Sequence, residues 1–264
     1  MVESRFKMKS GVPGAGFVLL FLLALSLVVA PKAYTADEGK ALYESRCILC
    51  HGAKGDGNGH VSILPKTEKF GKIWKLNPRD FTVGAFKWRT TPSGCLPLDA
   101  DLAKIVENGI SRTYMPSNAD LSRDEINGLV QYIKTFSPRW VEEKGDTGGV
   151  CTPIVINKPA FVGSPESVAK GAEVWKKMKC AECHGDQGKG DGPKSESLKD
   201  DSGHPIMAFD FTSCAGKGGV SPERTYAAYT TGIDGTGMPS YADSLNEDDR
   251  WNLVSYTLKL MHKL

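Results

Sequence analysis

The sequence predicts an all-α protein written twice, two helical domains in tandem behind a short leader. Three observations carry this. "RCILCHGAKGDGNG" at Arg46 returns as "KCAECHGDQGKGDG" at Lys179. Each copy closes with a helix of one-sided apolar pattern. Finally, no run of alternating apolar and polar residues marks a strand. The boundaries that follow are 1–36 for a leader, 37–143 for the first domain, 144–165 for a linker and 166–264 for the second domain.

The leader begins with Arg5, Lys7 and Lys9, and Phe17 to Ala30 carries no charge. This is the layout of an export signal. Counted from Val12, the apolar stretch is also long enough for a membrane anchor. Removal and retention both stay open, because Tyr34 or Pro31 takes the minus-three position if cleavage follows Ala36 or Ala33, and cleavage after Ala30 would leave a proline next. Either way the rest of the chain is expected outside the cytoplasm, in the periplasm, soluble or tethered to the inner membrane. Without residues 1–36 the basic count falls from 33 to 29 and the acidic count from 31 to 30, a net charge of −1. A nucleic-acid binder needs a strong basic excess, so that class is excluded.

The repeat runs beyond the cysteines. "GKALYESRC" parallels "GAEVWKKMKC", setting Gly39 with Gly171 and Tyr43 with Trp175. Gly-Asp-Gly occurs at Gly55 and again at Gly190, and Asp-Phe-Thr at Asp80 and Asp210. "NGISRTYMPS" resembles "TGIDGTGMPS", so Met115 matches Met238. In the first closing helix Ser122 and Glu125 form a capping box, and Ile126, Leu129, Val130 and Ile133 share one face. In the second, Asn246 is the N-cap, and Trp251, Val254, Leu258 and Met261 recur every three to four residues. The segment "KGDTGGVCTPIVINKPAFVGSP" reads as linker from its glycines and prolines.

Cys-x-x-Cys-His has three readings. Zinc would find at most three ligands per copy. A thioredoxin-like pair needs a βαβ setting, which the pattern lacks. Covalent haem attachment suits a helical turn, where Cys47 and Cys50 lie at i and i+3 and His51 at i+4. Both thiols then reach the vinyl groups and the imidazole faces the iron. Two copies behind an export signal favour two covalently attached haem c groups, through Cys47 and Cys50 with His51, and Cys180 and Cys183 with His184.

"GKALYESRCILCHGAKGDGNG" and "GMPSYADSLNEDDRWNLVSYTLKL" resemble class I c-type cytochromes in tandem, as in cytochrome c4 and the dihaem subunit of cbb3-type oxidases. The resemblance is loose in the stretches 60–100 and 193–222. It implies two cytochrome c domains, with a methionine before proline as the sixth iron ligand. Met115 and Met238 stand in that place, while His60, His204, Met207 and His262 lack a counterpart in the other copy; Met207 is the substitute should Met238 be displaced. It also implies that Tyr43 and Trp175 pack the first helix on the last. Iron held by histidine and methionine has no open position, so the expected function is outer-sphere electron transfer between redox partner proteins rather than catalysis. The alternatives are an electron-transfer subunit of a membrane respiratory complex, or a dihaem peroxidase, which needs an open iron.

Gly52, Gly55, Gly57 and Gly59, like Gly185, Gly188, Gly190 and Gly192, either turn the chain around the haem edge or are ordinary loop residues. Cys95, Cys151 and Cys214 leave all three pairings open. From Lys66 to Arg89 seven basic residues face only Glu68 and Asp80, as a solvated loop or as a docking surface for an acidic partner.

Overall fold

The computed structural model describes residues 35–61, 64–69, 72–111, 113–142, 151–201, 203–213 and 220–264, with the backbone alone at 64–69 and 72–76. The leader call at 1–34 and Cys214 lie outside the described residues. Among the described residues no helix is long and apolar enough to cross a membrane.

Each domain is built on a crossing of its first long helix with its last. In the first domain α1 (Ala36–Arg46) meets α4 (Arg123–Lys134). Between them stand the short turn α2 (Ile48–His51), the strands β1 (Leu64–Lys69) and β2 (Lys72–Leu76), and α3 (Asp99–Asn108); α5 (Arg139–Glu142) closes the domain. The second domain pairs α6 (Pro165–Lys177) with α9 (Glu247–Leu260), with the turn α7 (Ala181–His184) and α8 (Pro222–Thr231) between. The helix α1 starts inside the segment assigned to the leader. Thr35 is its N-cap, bonded to the Glu38 amide while Glu38 returns to the Thr35 amide.

The crossings explain the matched glycines. A Cβ on Gly39 would collide with the Gly128 carbonyl of α4, and one on Gly171 with the Asn252 carbonyl of α9. Only glycine lets the two backbones come this close. One turn further, Tyr43 meets Tyr132 edge-on at 5.2 Å and Phe136 at a tilt at 5.1 Å, and Trp175 meets Tyr256 at 5.5 Å. The closing helices begin as their caps dictate, with the Ser122–Glu125 box and with Asn246 accepting from the Asp249 amide. The residues of both apolar faces are buried.

The second repeat has one more residue between its glycine and its first cysteine. It is absorbed at Lys179, held at φ 54°, so that Cys180 bonds back five residues to Trp175, where Cys47 bonds back four to Tyr43. The Gly-Asp-Gly triplets, by contrast, are not equivalent. Gly57 and Gly190 each donate to the carbonyl of the histidine in their own copy, so Gly55-Asp56-Gly57 corresponds to Gly188-Lys189-Gly190.

The fold is all-α with one insertion, a two-stranded pair where no strand is expected from the sequence. The antiparallel pair β1–β2, with a register irregularity between Pro65 and Thr67, lies in the first long loop. Lysines at 66, 69, 72 and 75 recur every third residue and hide the period of two by which a strand is read.

The linker is not a free tether. Cys95 pairs with Cys151, the Ile154 amide donates to the Thr90 carbonyl at 2.8 Å, and the Gly163 amide donates to Ser255 Oγ at 3.0 Å. Ile156, Phe161 and Val162 pack on the second core. The domains also meet directly, through the end of the basic run. Arg89 is buried; its Nε and Nη1 donate to the Pro92 and Phe86 carbonyls, and its Nη2 to the Thr231 carbonyl (2.9 Å) and to Asp234 Oδ1 (2.8 Å). Ser93 Oγ and the Gly94 amide also donate to Asp234. Arg89 is therefore no part of a solvated loop, and the acid it serves is on its own chain.

Two stability predictions follow from these contacts. Gly171→Val pushes α6 off α9 and lowers stability by about 1–3 kcal/mol, measured as a shift in denaturant midpoint, with Glu173→Val on the exposed face as the control. Arg89→Ala leaves Asp234 without its buried partner and costs about 3–5 kcal/mol in the same assay.

Candidate haem sites

Each site is assembled at the point where the first long helix stops. In the first copy Cys47 ends α1 and the chain turns once more: the His51 amide donates to the Cys47 carbonyl at 2.9 Å, and Gly52 leaves the turn at φ 78°. The second copy repeats this with His184 on Cys180 at 2.9 Å and Gly185 at φ 77°. A side chain at Gly52 would be strained by that φ and would meet Asp56 Oδ1, which explains the glycine after each histidine. The following loop folds back over the turn. Gly59 donates to the Cys50 carbonyl as Gly192 does to that of Cys183, both at 3.2 Å.

The histidines are held by a device that the sequence reading noticed without assigning. His51 Nδ1 lies 3.1 Å from the Arg79 carbonyl oxygen, and His184 Nδ1 lies 2.9 Å from that of Phe209. These residues immediately precede the two Asp-Phe-Thr triplets. In each triplet the aspartate Oδ1 accepts from the threonine amide and hydroxyl, at 2.8 and 2.6 Å for Asp80 and at 2.9 and 2.7 Å for Asp210. The phenylalanine amide donates to the carbonyl of Gly55 or Gly188, both at 2.7 Å. The turn is thus tied to the attachment loop, and its leading carbonyl points at the imidazole. A carbonyl only accepts, so Nδ1 carries the proton and the Nε2 lone pair is left to bind a metal. Burial holds both imidazoles below their ordinary pKa, and therefore neutral. Phe81 stacks on His51 at 4.5 Å, and Phe211 leans on His184 at 5.1 Å.

Cys47 and Cys180 pack against the two apolar cores. Burial pushes Cys47 and Cys180 up to about 11 and also raises Cys183. Met115 and Met238 are half-buried and are presented by identical turns. Thr113 Oγ1 donates to the Ile110 carbonyl and accepts from the Met115 amide, while the Met115 carbonyl accepts from the Ile110 amide. Thr236, Ile233 and Met238 repeat each bond. Neither threonine was singled out from sequence, although both lie in the matched segments. His60, His204 and His262 are exposed and Met207 is half-buried.

The side chains present fit haem better than a bare ion. Among the described residues no three His, Cys, Asp or Glu side chains converge as an ion would need. Instead two thiols and an imidazole fan out along one turn. Beside His184 the Trp175 indole, 5.8 Å away, has a buried Nε1–H without a hydrogen-bond partner.

Comparison with known proteins gives the family. The family described as cytochrome c oxidase, cbb3-type, subunit III matches residues 35–133 and again 166–256. The chain belongs to this cytochrome c family. Its cytochrome c domains are those of electron-transfer carriers, and the family implies covalently bound haem c. A chain of the Kuenenia stuttgartiensis reducing HAO-like protein complex is similar in structure, with a TM-score of 0.77 and 35% identity over 87% of this chain and 98% of that one. No curated protein matches.

The Asp-Phe-Thr turn makes a prediction. Asp210→Ala removes both bonds that shape the turn behind His184 and lowers the stability of the second domain by about 1–2 kcal/mol, while Thr212→Ser, which keeps them, stays near wild type. Denaturant unfolding followed by Trp fluorescence tests this.

Proposed function

We propose that this protein is a dihaem electron carrier working outside the cytoplasm. Cys47 and Cys50 attach one haem c and Cys180 and Cys183 the other. His51 with Met115, and His184 with Met238, would ligate the two irons. The observation that carries the reading is that the bonds placing the histidine and the methionine in the first site recur in the second: the same Nδ1–carbonyl lock on the histidine and the same threonine turn under the methionine. With a methionine as well as a histidine on each iron no position would stay open, which is what a carrier needs and a peroxidase does not.

Bound haem supplies a one-electron couple between ferrous and ferric iron. The chain's own groups do the rest. The Arg79 and Phe209 carbonyls keep each Nε2 aimed and unprotonated, the thioether sulfurs raise the potential relative to a second histidine, and the buried aromatic walls exclude water. The Cys95–Cys151 disulfide and the leader of the sequence support export to the periplasm, where such bonds persist. The K. stuttgartiensis relative comes from a protein complex, which supports a redox protein as the partner here, as donor, acceptor or companion in a membrane respiratory assembly.

The ferric protein is expected to show the weak red absorption band of methionine sulfur on iron at the intensity of two haems. Met115→Ala and Met238→Ala each halve it, and the double variant abolishes it. A band that survives the double variant would assign the sixth ligands elsewhere, to Met207 first in the second domain.

A further inference from the structure

The two copies differ at the residue whose carbonyl holds the histidine: it is Arg79 in the first and Phe209 in the second. The Arg79 guanidinium is not spread into bulk water. It lies along the seam between the domains, where a Cβ on Gly235 would stand 3.6 Å from its Nη1 and 3.4 Å from Asp201 Oδ2. Lys87, half-buried, lies on the same side of the seam and feels Arg79, Asp200 and Asp201. The carboxylates facing Arg79 from the far side are those of Asp200, Asp201 and Asp234. The last belongs to the loop that runs on to Met238. Asp80 beside Arg79 is matched by Asp210 beside Phe209, so the difference between the copies is the positive charge of Arg79, which bears on His51, and the carboxylates of Asp200, Asp201 and Asp234 on the side of the second site.

We propose that Arg79 makes the first site the higher-potential one, so that an electron shared between the two sites rests in domain 1. The inference builds on the proposed two-haem reading. A cation close to iron in a poorly screened setting opposes ferric more than ferrous iron, and carboxylates do the reverse. Phe209 offers no such charge. The transfer moves one electron and no proton, from domain 2 to domain 1. A donor redox protein supplies that electron at domain 2, and an acceptor redox protein removes it at domain 1.

The test is a spectroelectrochemical titration of the full-length dihaem protein, with the two sites told apart by the methyl NMR signals of labelled Met115 and Met238. In the wild type the Met115 site is expected to be reduced first. Arg79→Gln shifts its oxidation equilibrium three- to tenfold toward ferric, about 30–60 mV for a one-electron couple, and shifts the Met238 site by less. Arg79→Lys, which keeps the charge, returns it toward wild type, and Asp201→Asn raises the Met238 site. A reversed or equal order in the wild type overturns the proposal, as does an Arg79→Gln variant that moves both sites equally or neither. Failure of lysine to rescue overturns the role of charge. The red band read on the same samples separates the two layers. Both bands present with the order wrong sinks this inference alone; a missing band in the wild type sinks the ligand assignment and this inference with it.

Discussion

The hydrogen bond from each histidine Nδ1 to a backbone carbonyl is the constraint on which the rest of the structure depends. An imidazole free to rotate or to change tautomer would offer iron a proton as readily as a lone pair. At 3.1 Å for His51 and 2.9 Å for His184 that freedom is gone. The bond in turn requires the carbonyl to arrive from a distant loop, 28 residues downstream in one copy and 25 in the other. That is the work of the Asp-Phe-Thr turn, with its aspartate closing the turn and its phenylalanine amide tied to Gly55 or Gly188. The loop must also pass close enough to the attachment turn for that tie to form, which in turn fixes where glycine is needed.

Much of this was legible in the sequence because it was written twice. A single Cys-x-x-Cys-His, a single Met-Pro-Ser or a single Asp-Phe-Thr is weak evidence; the same order of all three in two copies sets the relative places of histidine, methionine and closing helix. The caps at Ser122 and Asn246 and the faces from Ile126 and Trp251 could be read because a helix end and a helix face are local properties of the chain. What escaped was long-range or off-period. The partner of His51 is a backbone carbonyl, and a carbonyl leaves no mark on residue identity. The hairpin was hidden by lysines three apart. The Gly-Asp-Gly triplets misled because identical letters sit two residues out of phase in the loop, and only the bonds to the histidine carbonyls reveal the true match.

The basic run from Lys66 to Arg89 is the clearest case in which charge counted along a sequence and charge placed in space mean different things. A solvated loop and a docking surface were the two readings, and both assume that the cations face outward. Arg89 faces inward, because burying a guanidinium is tolerable only where its donors are met, and Pro92, Phe86, Thr231 and Asp234 meet them. Asp234 lies two residues before Thr236, the side chain that shapes the methionine turn of the second site. A surface cation read from domain 1 is thus a structural part of the second site's surroundings.

That arrangement changes what the linker is for. Two carriers on a loose tether would exchange electrons only when diffusion brought their edges together, and the rate would follow linker length. Here the disulfide, the backbone hydrogen bond from Ile154 to Thr90, the packing of Phe161 and the buried Arg89–Asp234 pair all act on the same relative placement. The linker spans the seam already closed by side chains, so the distance between the sites is a property of the folded state. The residues at which the copies differ, such as Arg79 against Phe209 and Asp234 against Ser111, make the surface where the domains meet a polar seam. A pair of identical domains could hold two electrons but could not tell one end from the other, and it is the unmatched residues in the seam that distinguish the ends.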